Sequence, residues 1–169
     1  MIEIEVFNQD PKRLRQAFGC FPSGVVALAA MDGDEPVGMA IASFTPVSLA
    51  PPLVSVCVQN TSRTWPRLRG RTRVGLSVLA EGHDDVALRL SSKEGDRFAG
   101  VDWEATSDGS VFVHGATAVL NCRVYGEIPA GDHVMVLLEV LGLGAQPDGA
   151  PLVFHGSRFR SLAAGAKAA

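Results

Sequence analysis

Residues 117–141 read TAVLNCRVYGEIPAGDHVMVLLEVL. In the first half, Ala118, Leu120, Cys122, Val124 and Ile128 fall on one side of an extended chain, and Asn121, Arg123, Tyr125 and Glu127 on the other. A period of two with one polar side predicts a strand with one wet face. His133 to Leu141 differs: Val134, Val136, Leu138 and Val140 are backed by Met135, Leu137 and Leu141, so both faces need cover. A barrel interior on one side and a second subunit on the other meet that need.

Working outward, the same extended character fills most of the chain. Gly24 to Met31 and Pro36 to Ser43 are apolar runs joined at Asp32-Gly33-Asp34, which predicts a hairpin. Leu53 to Val58, after Pro51-Pro52, and Val74 to Leu79 read as further strands. Helices are few and short. Asp10 before Pro11 is an N-cap followed by proline where its missing N–H costs nothing, and Leu14, Ala17 and Phe18 then share a side up to Gly19. Thr61 to Arg69 and Asp84 to Leu90 show similar short patterns. About seven strands with frequent turns indicate a mainly β sandwich or barrel. The expected organisation is one domain over residues 1–169, with an ordered core at 10–162 and a loose small-residue tail at 163–169.

Composition narrows the function classes. Hydrophobic residues are 47% of the 169 and charged residues 20%, enough for a full interior. The net charge of −3 is opposite to the balance that nucleic-acid binding requires. Cys20, Cys57 and Cys122 form no C-x-x-C pair, so a reduced, cytoplasmic chain is expected. The first ten residues carry acids and no apolar run of the signal type, and no apolar stretch reaches the ~20 residues of a membrane span. No P-loop, no G-x-G-x-x-G between strand and helix and no G-x-S-x-G elbow occurs, and the four histidines lack paired metal-ligand spacing.

The chemistry-bearing stretch is 38–58, GMAIASFTPVSLAPPLVSVCV, small side chains and hydroxyls on extended backbone. Read alone it is a packed barrel strand and its corner; the same composition also lets a flat ligand approach the main chain closely. Together with QNTSRTW at 59–65, DRFAGVDW at 96–103, Gly131-Asp132-His133 and PLVFHG at 151–156, it resembles the short-chain flavin reductases, the small components of two-component flavin-dependent monooxygenases. The resemblance runs from about Phe18 to Leu162 with every block in order.

That resemblance implies a Greek-key split β-barrel that binds FMN or FAD, is a homodimer, and passes hydride from NADH or NADPH to the flavin for a separate monooxygenase. The charge balance and the short apolar runs lead to the further expectation of no nucleic-acid or membrane partner. The resemblance sets the flavin ring against Ala42, Ser43, Phe44 and Thr45 with Ser48 nearby, and the main chain of Cys57, Val58, Gln59 and Asn60 along its polar edge. It assigns Ser62, Arg63 and Thr64 to the ribityl and phosphate side, and Arg97 and Phe98 to the flavin or the dinucleotide phosphates. Gly131-Asp132-His133, by itself a turn before a strand, matches the nicotinamide-site motif, which makes His133 the catalytic candidate and Asp132 its companion. His155 and Arg158 stand where an aromatic and a basic residue lie near the ligand.

Two departures matter. Phe159 replaces a common tyrosine, and Ala40-Ile41-Ala42 lacks the threonine many relatives carry, so no side-chain hydroxyl is available at either place. The run Arg63, Arg67, Arg69, Arg71, Arg73 reads mainly as a solvated face, with one member available to a phosphate. Cys57, on an apolar strand, reads as a packing residue. The alternatives kept beside the main reading are a non-catalytic flavin or haem binder on the same barrel, and a pyridoxamine-phosphate-oxidase-like enzyme.

Overall fold

A computed structural model describes residues 1–162; the tail expected at 163–169 lies outside the described residues. Its principal element is a seven-stranded antiparallel sheet in the order β3-β2-β6-β9-β10-β5-β4. These strands are β2 (Val26–Asp32), β3 (Glu35–Ile41), β4 (Thr45–Leu49), β5 (Pro52–Gln59), β6 (Val74–Val78), β9 (Ala118–Ala130) and β10 (His133–Ala145). The expected hairpin is β2–β3, turned at Gly33, whose φ of 68° suits glycine. Two long strands, β9 and β10, form its spine.

The sheet curls until β3 and β5 share one interior without hydrogen bonding to each other, which makes the fold a mainly β split barrel. Val37, Met39 and Ile41 meet Val54, Val56 and Val58 there, around Leu28, Leu76, Val136 and Leu138, the last four fully buried. The short helix α2 (Trp65–Leu68) plugs this interior with Trp65 and Leu68. It is shorter than the expected 61–69 because Pro66 sits in its first turn and disfavours helix before it. Ser62 Oγ instead accepts the Trp65 N–H at 3.1 Å.

A second core covers the outer face of β2. Ala27 and Ala29 pack under Ala87 and Leu90 of α3 (Asp84–Ser91), Phe98, and Val111 and Val113 of β8 (Val111–Val113), which pairs with β7 (Trp103–Ala105). Close approach of β8 over β6 requires Gly75, where a Cβ would stand 2.2 Å from the Val111 carbonyl oxygen. A small sheet of β1 (Ser23–Gly24), β11 (Val153–His155) and β12 (Arg158–Arg160) completes the described strands. The first helix, α1 (Pro11–Gly19), is capped as expected, Asp10 accepting the Lys12 N–H at 2.9 Å, yet buries none of its residues.

The expected alternation of β9 holds up to Val124 and then reverses. Val124 pairs with Leu138 and Gly126 with Leu137, leaving Tyr125 as a bulge. One inserted residue exchanges the two faces of everything after it. Glu127 therefore lies opposite fully buried Val136, where a carboxylate oxygen accepts the Trp65 indole N–H at 3.2 Å, while Ile128 is turned outward and 49% exposed. The interior face of β10 is covered, as its pattern required. On its outer face Met135 and Leu137 are half-buried and Leu141 is exposed.

Candidate functional site

Where β3 ends and the chain turns toward β4, the curled sheet stays open and a cleft of about 820 Å³ forms. One wall is Met39 to Ser43, the other Cys57 to Gln59. Ala40, Ala42 and Ser43 keep the wall shallow. Ser43 ties the two sides together: its Oγ accepts the Cys57 N–H at 2.8 Å and donates to the Cys57 carbonyl at 3.2 Å. That pair of bonds occupies both main-chain groups of Cys57.

His133 enters the cleft from the start of β10, opposite Gln59 in register. Its Nδ1 lies 2.6 Å from an Asp132 carboxylate oxygen, and this hydrogen bond holds the Asp132 carboxyl below its ordinary range. With Asp132 ionised, Nδ1 carries the hydrogen and donates it, which leaves Nε2 to meet a ligand. The turn is itself fixed: Asn60 donates its backbone N–H to the Asp132 carbonyl at 2.9 Å and its Nδ2 hydrogen to the Gly131 carbonyl at 3.2 Å. Gly131, at φ 65°, makes that turn possible.

The third side is cationic. Arg97 Nη1 donates to Thr64 Oγ1 at 2.8 Å and to the Gly38 carbonyl at 3.0 Å, while Arg63 Nη2 donates to the Lys93 carbonyl at 2.9 Å. Burial, then repulsion from Arg63, lowers the Arg97 pKa from its ordinary value. Among the described residues no Asp or Glu lines this cleft, and none of Arg63, Lys93 and Arg97 forms an ion pair. The rest of the basic run is engaged elsewhere: Arg67 and Arg71 with Asp32, both at 2.6 Å, Arg69 with Glu127 at 3.2 Å, and Arg73 with Asp108 at 3.9 Å. Unpaired cations on a groove of small side chains suit a flat anion bearing phosphate.

Ten of the expected site residues line this one cleft: Ala42, Ser43, Cys57, Val58, Gln59, Ser62, Arg63, Thr64, Arg97 and His133. Asp132 and Asn60 stand behind His133 as its supports. Phe44 instead packs against the principal core, and Thr45 and Ser48 lie along β4. Phe98 belongs to the second core. His155 and Arg158 flank the β11–β12 turn, whose Gly156 N–H donates to the Gly19 carbonyl, one residue beyond Phe18. Phe18, Leu90, Ser91 and Lys93 line the cleft without having been expected. Leu90 had a signal in its place on the apolar side of α3; Lys93, inside a charged turn, had none.

The flavin reductase like domain family matches residues 18–163. The actinorhodin polyketide dimerase of Streptomyces coelicolor is 38% identical over 160 residues, 94% of this chain and 90% of that protein. The reductase subunit HsaB of a flavin-dependent monooxygenase from Mycobacterium tuberculosis is 37% identical over 148 residues, 86% and 79% of the two chains. The solved NADH:FAD oxidoreductase of Streptomyces globisporus, in complex with NAD and FAD fragments, matches with a TM-score of 0.90 and 36% identity over 98% of this chain and 100% of that one. The family match and these likenesses run along nearly the whole sequence: the chain belongs to the flavin reductase-like family.

Proposed function

We propose that this protein is an NAD(P)H:flavin oxidoreductase that reduces FAD or FMN and releases it to a separate flavin-dependent monooxygenase. The observation that carries the reading is the open cleft in which three unpaired cations and His133 meet a wall of small side chains. The bound flavin supplies the hydride-accepting ring, and transfer from a reduced nicotinamide requires the reacting atoms ~3–3.5 Å apart and no general base.

The chain's own contributions follow from its chemistry. Ala40, Ala42 and Ser43 admit a planar ring close to the backbone. Arg63, Lys93 and Arg97 offset phosphate charge, and Ser62 and Thr64 supply hydroxyls beside them. His133, held by Asp132, offers Nε2 to the carboxamide or the ring edge, orienting it without moving a proton in the chemical step. An open groove suits a ligand that must leave, with an affinity near micromolar, about −8 kcal/mol.

The same reading takes the chain as one cytoplasmic domain that pairs with a second copy through the outer face of β9 and β10, where Tyr125, Ile128 and Leu141 are exposed. No helix among the described residues is long and apolar enough to cross a membrane. Mixing the protein with flavin and NADH or NADPH under nitrogen tests the activity. Rapid bleaching of the visible flavin absorption, reversed by oxygen, is expected; a band that persists with flavin bound would make the protein a binder and not a reductase.

A further inference from the structure

The segment that lends the cleft its hydroxyls and Arg63 is short and has two ends to hold. Residues 60–64 leave β5 beside His133 and run directly into α2. The near end is fixed on the β9–β10 turn by the two Asn60 bonds, to the Asp132 carbonyl at 2.9 Å and the Gly131 carbonyl at 3.2 Å. The far end is α2 itself, four residues long, and a helix of about one turn does not hold its shape by its own bonds. Thr64, at its N-cap, makes no capping bond with its side chain, because that hydroxyl accepts from Arg97.

Glu127 holds the far end. One of its carboxylate oxygens accepts the indole N–H of Trp65, the first residue of α2, at 3.2 Å. The other lies 3.2 Å from Nη2 of Arg69, the residue after the last, so the carboxylate straddles the helix from end to end. Arg69 also closes the turn, its N–H donating to the Trp65 carbonyl at 2.8 Å. Glu127 reaches this place because the bulge at Tyr125 turns it inward, opposite Val136. With its side chain only 23% exposed, such a group is costly there unless its oxygens find partners, and both do. The charged pair and the hydrogen bond give α2 a direction that the packing of Trp65 and Leu68 lacks. Both anchors of the 60–64 segment stand on one hairpin, β9–β10, the one that carries His133.

We infer that Glu127, which does not line the cleft, is a positioning residue for the ligand's phosphate: through Trp65 and Arg69 it sets the end of the segment from which Ser62, Arg63 and Thr64 face the cleft. This rests on the flavin-reductase reading above. It goes further by assigning part of the grip on the ligand to a side chain that touches none of it.

The test compares FMN with riboflavin, which has the same ring and ribityl chain and no phosphate. Fluorescence titrations are run on the wild type, Glu127→Leu, Glu127→Gln and Trp65→Phe, with melting temperatures on the same samples. Glu127→Leu should weaken FMN about tenfold, the scale of one charge-assisted contact, and leave riboflavin unchanged. The kcat with NADH at saturating FMN should also stay at the wild-type value, since only binding is lost. Glu127→Gln keeps an acceptor for the indole and should recover most of the loss. Trp65→Phe removes the indole N–H from the opposite side and should weaken FMN alone, so it carries the test even where Glu127→Leu does not fold. The two changes together should cost less than their separate losses combined, because they break one link. Equal losses for FMN and riboflavin would overturn the inference. So would a lower melting temperature with both affinities unchanged, or a Glu127→Gln that falls as far as Glu127→Leu. A wild type that binds FMN no more tightly than riboflavin refutes this inference alone; one that binds neither refutes the function with it.

Discussion

Replacing Arg97 by methionine separates two jobs that one side chain performs. Its guanidinium gives hydrogen bonds of 2.8 and 3.0 Å to Thr64 and the Gly38 carbonyl, pinning the 93–98 loop to β3. Each such charged bond contributes about 1.5–3 kcal/mol. Against them stand the cost of partial burial and the repulsion from Arg63, the two causes of its lowered pKa. For a partly exposed side chain the net cost to folding is about 1 kcal/mol, the usual size for a single substitution, a shift in melting temperature of roughly 2–4 °C for a chain of this length. A phosphate has no such compensation: losing one charge-assisted contact costs about 1.5–3 kcal/mol, roughly tenfold to a hundredfold in flavin affinity. Fluorescence titration and scanning calorimetry on the same sample measure both. A melting temperature that drops while flavin affinity stays at the wild-type value would refute the argument and leave Arg97 as a tie between loop and strand.

Three further outcomes are expected. His133→Ala should lower the rate of flavin reduction by NADH on the order of a hundredfold, through lost orientation, while flavin affinity changes far less; equal effects would remove His133 from the nicotinamide side. Leu138→Ala, at a fully buried position, should cost about 2–5 kcal/mol, seen as a lower urea midpoint with an unchanged slope. Asp108 is held at about 2 by hydrogen bonds from Thr106, Asn121 and Ser110. A carboxyl depressed in the folded state stabilises above its unfolded pKa and loses that contribution as pH falls through the folded one, so stability should drop between about pH 4 and 2. Asp108→Asn should flatten that part of a urea-midpoint profile against pH.

Strands that alternate or run continuously apolar were legible from their residues alone: β2–β3, β5, β6 and β10 lie where the patterns put them. Short pieces such as β4, β7 and β8 carry too few residues to show a period, and their place is set by what they cover. The tail of β9 misled for a definite reason. A bulge at Tyr125 is invisible to a pattern that assumes one residue per step, so Ile128 was aimed inward and Glu127 outward, the reverse of what the register gives. At the cleft, the blocks around Ser43, Ser62–Thr64, Arg97 and His133 converge because each lies at a strand or loop end facing the opening between β3 and β5. Nothing local to Lys93 signals its presence there, since it arrives through the packing of α3, whereas Phe18 stands on the apolar side of α1 and reaches the cleft by the course of that helix. The arginine run needed the structure to be sorted, because spacing alone does not say which guanidinium already has a carboxylate.

The division of the arginines into paired and unpaired governs how ligands arrive and depart. With half of its twelve arginines ion-paired among the described residues and a net charge of −3, the molecule as a whole faces an incoming anion with the same sign, and Arg63, Lys93 and Arg97 in the groove attract it locally. At physiological ionic strength that attraction fades over about 8 Å, so it acts on contact and gives little guidance from afar. Such a protein should capture anions without electrostatic acceleration, and once an anion moves a few ångströms outward nothing draws it back, which favours prompt hand-over to whatever waits nearby.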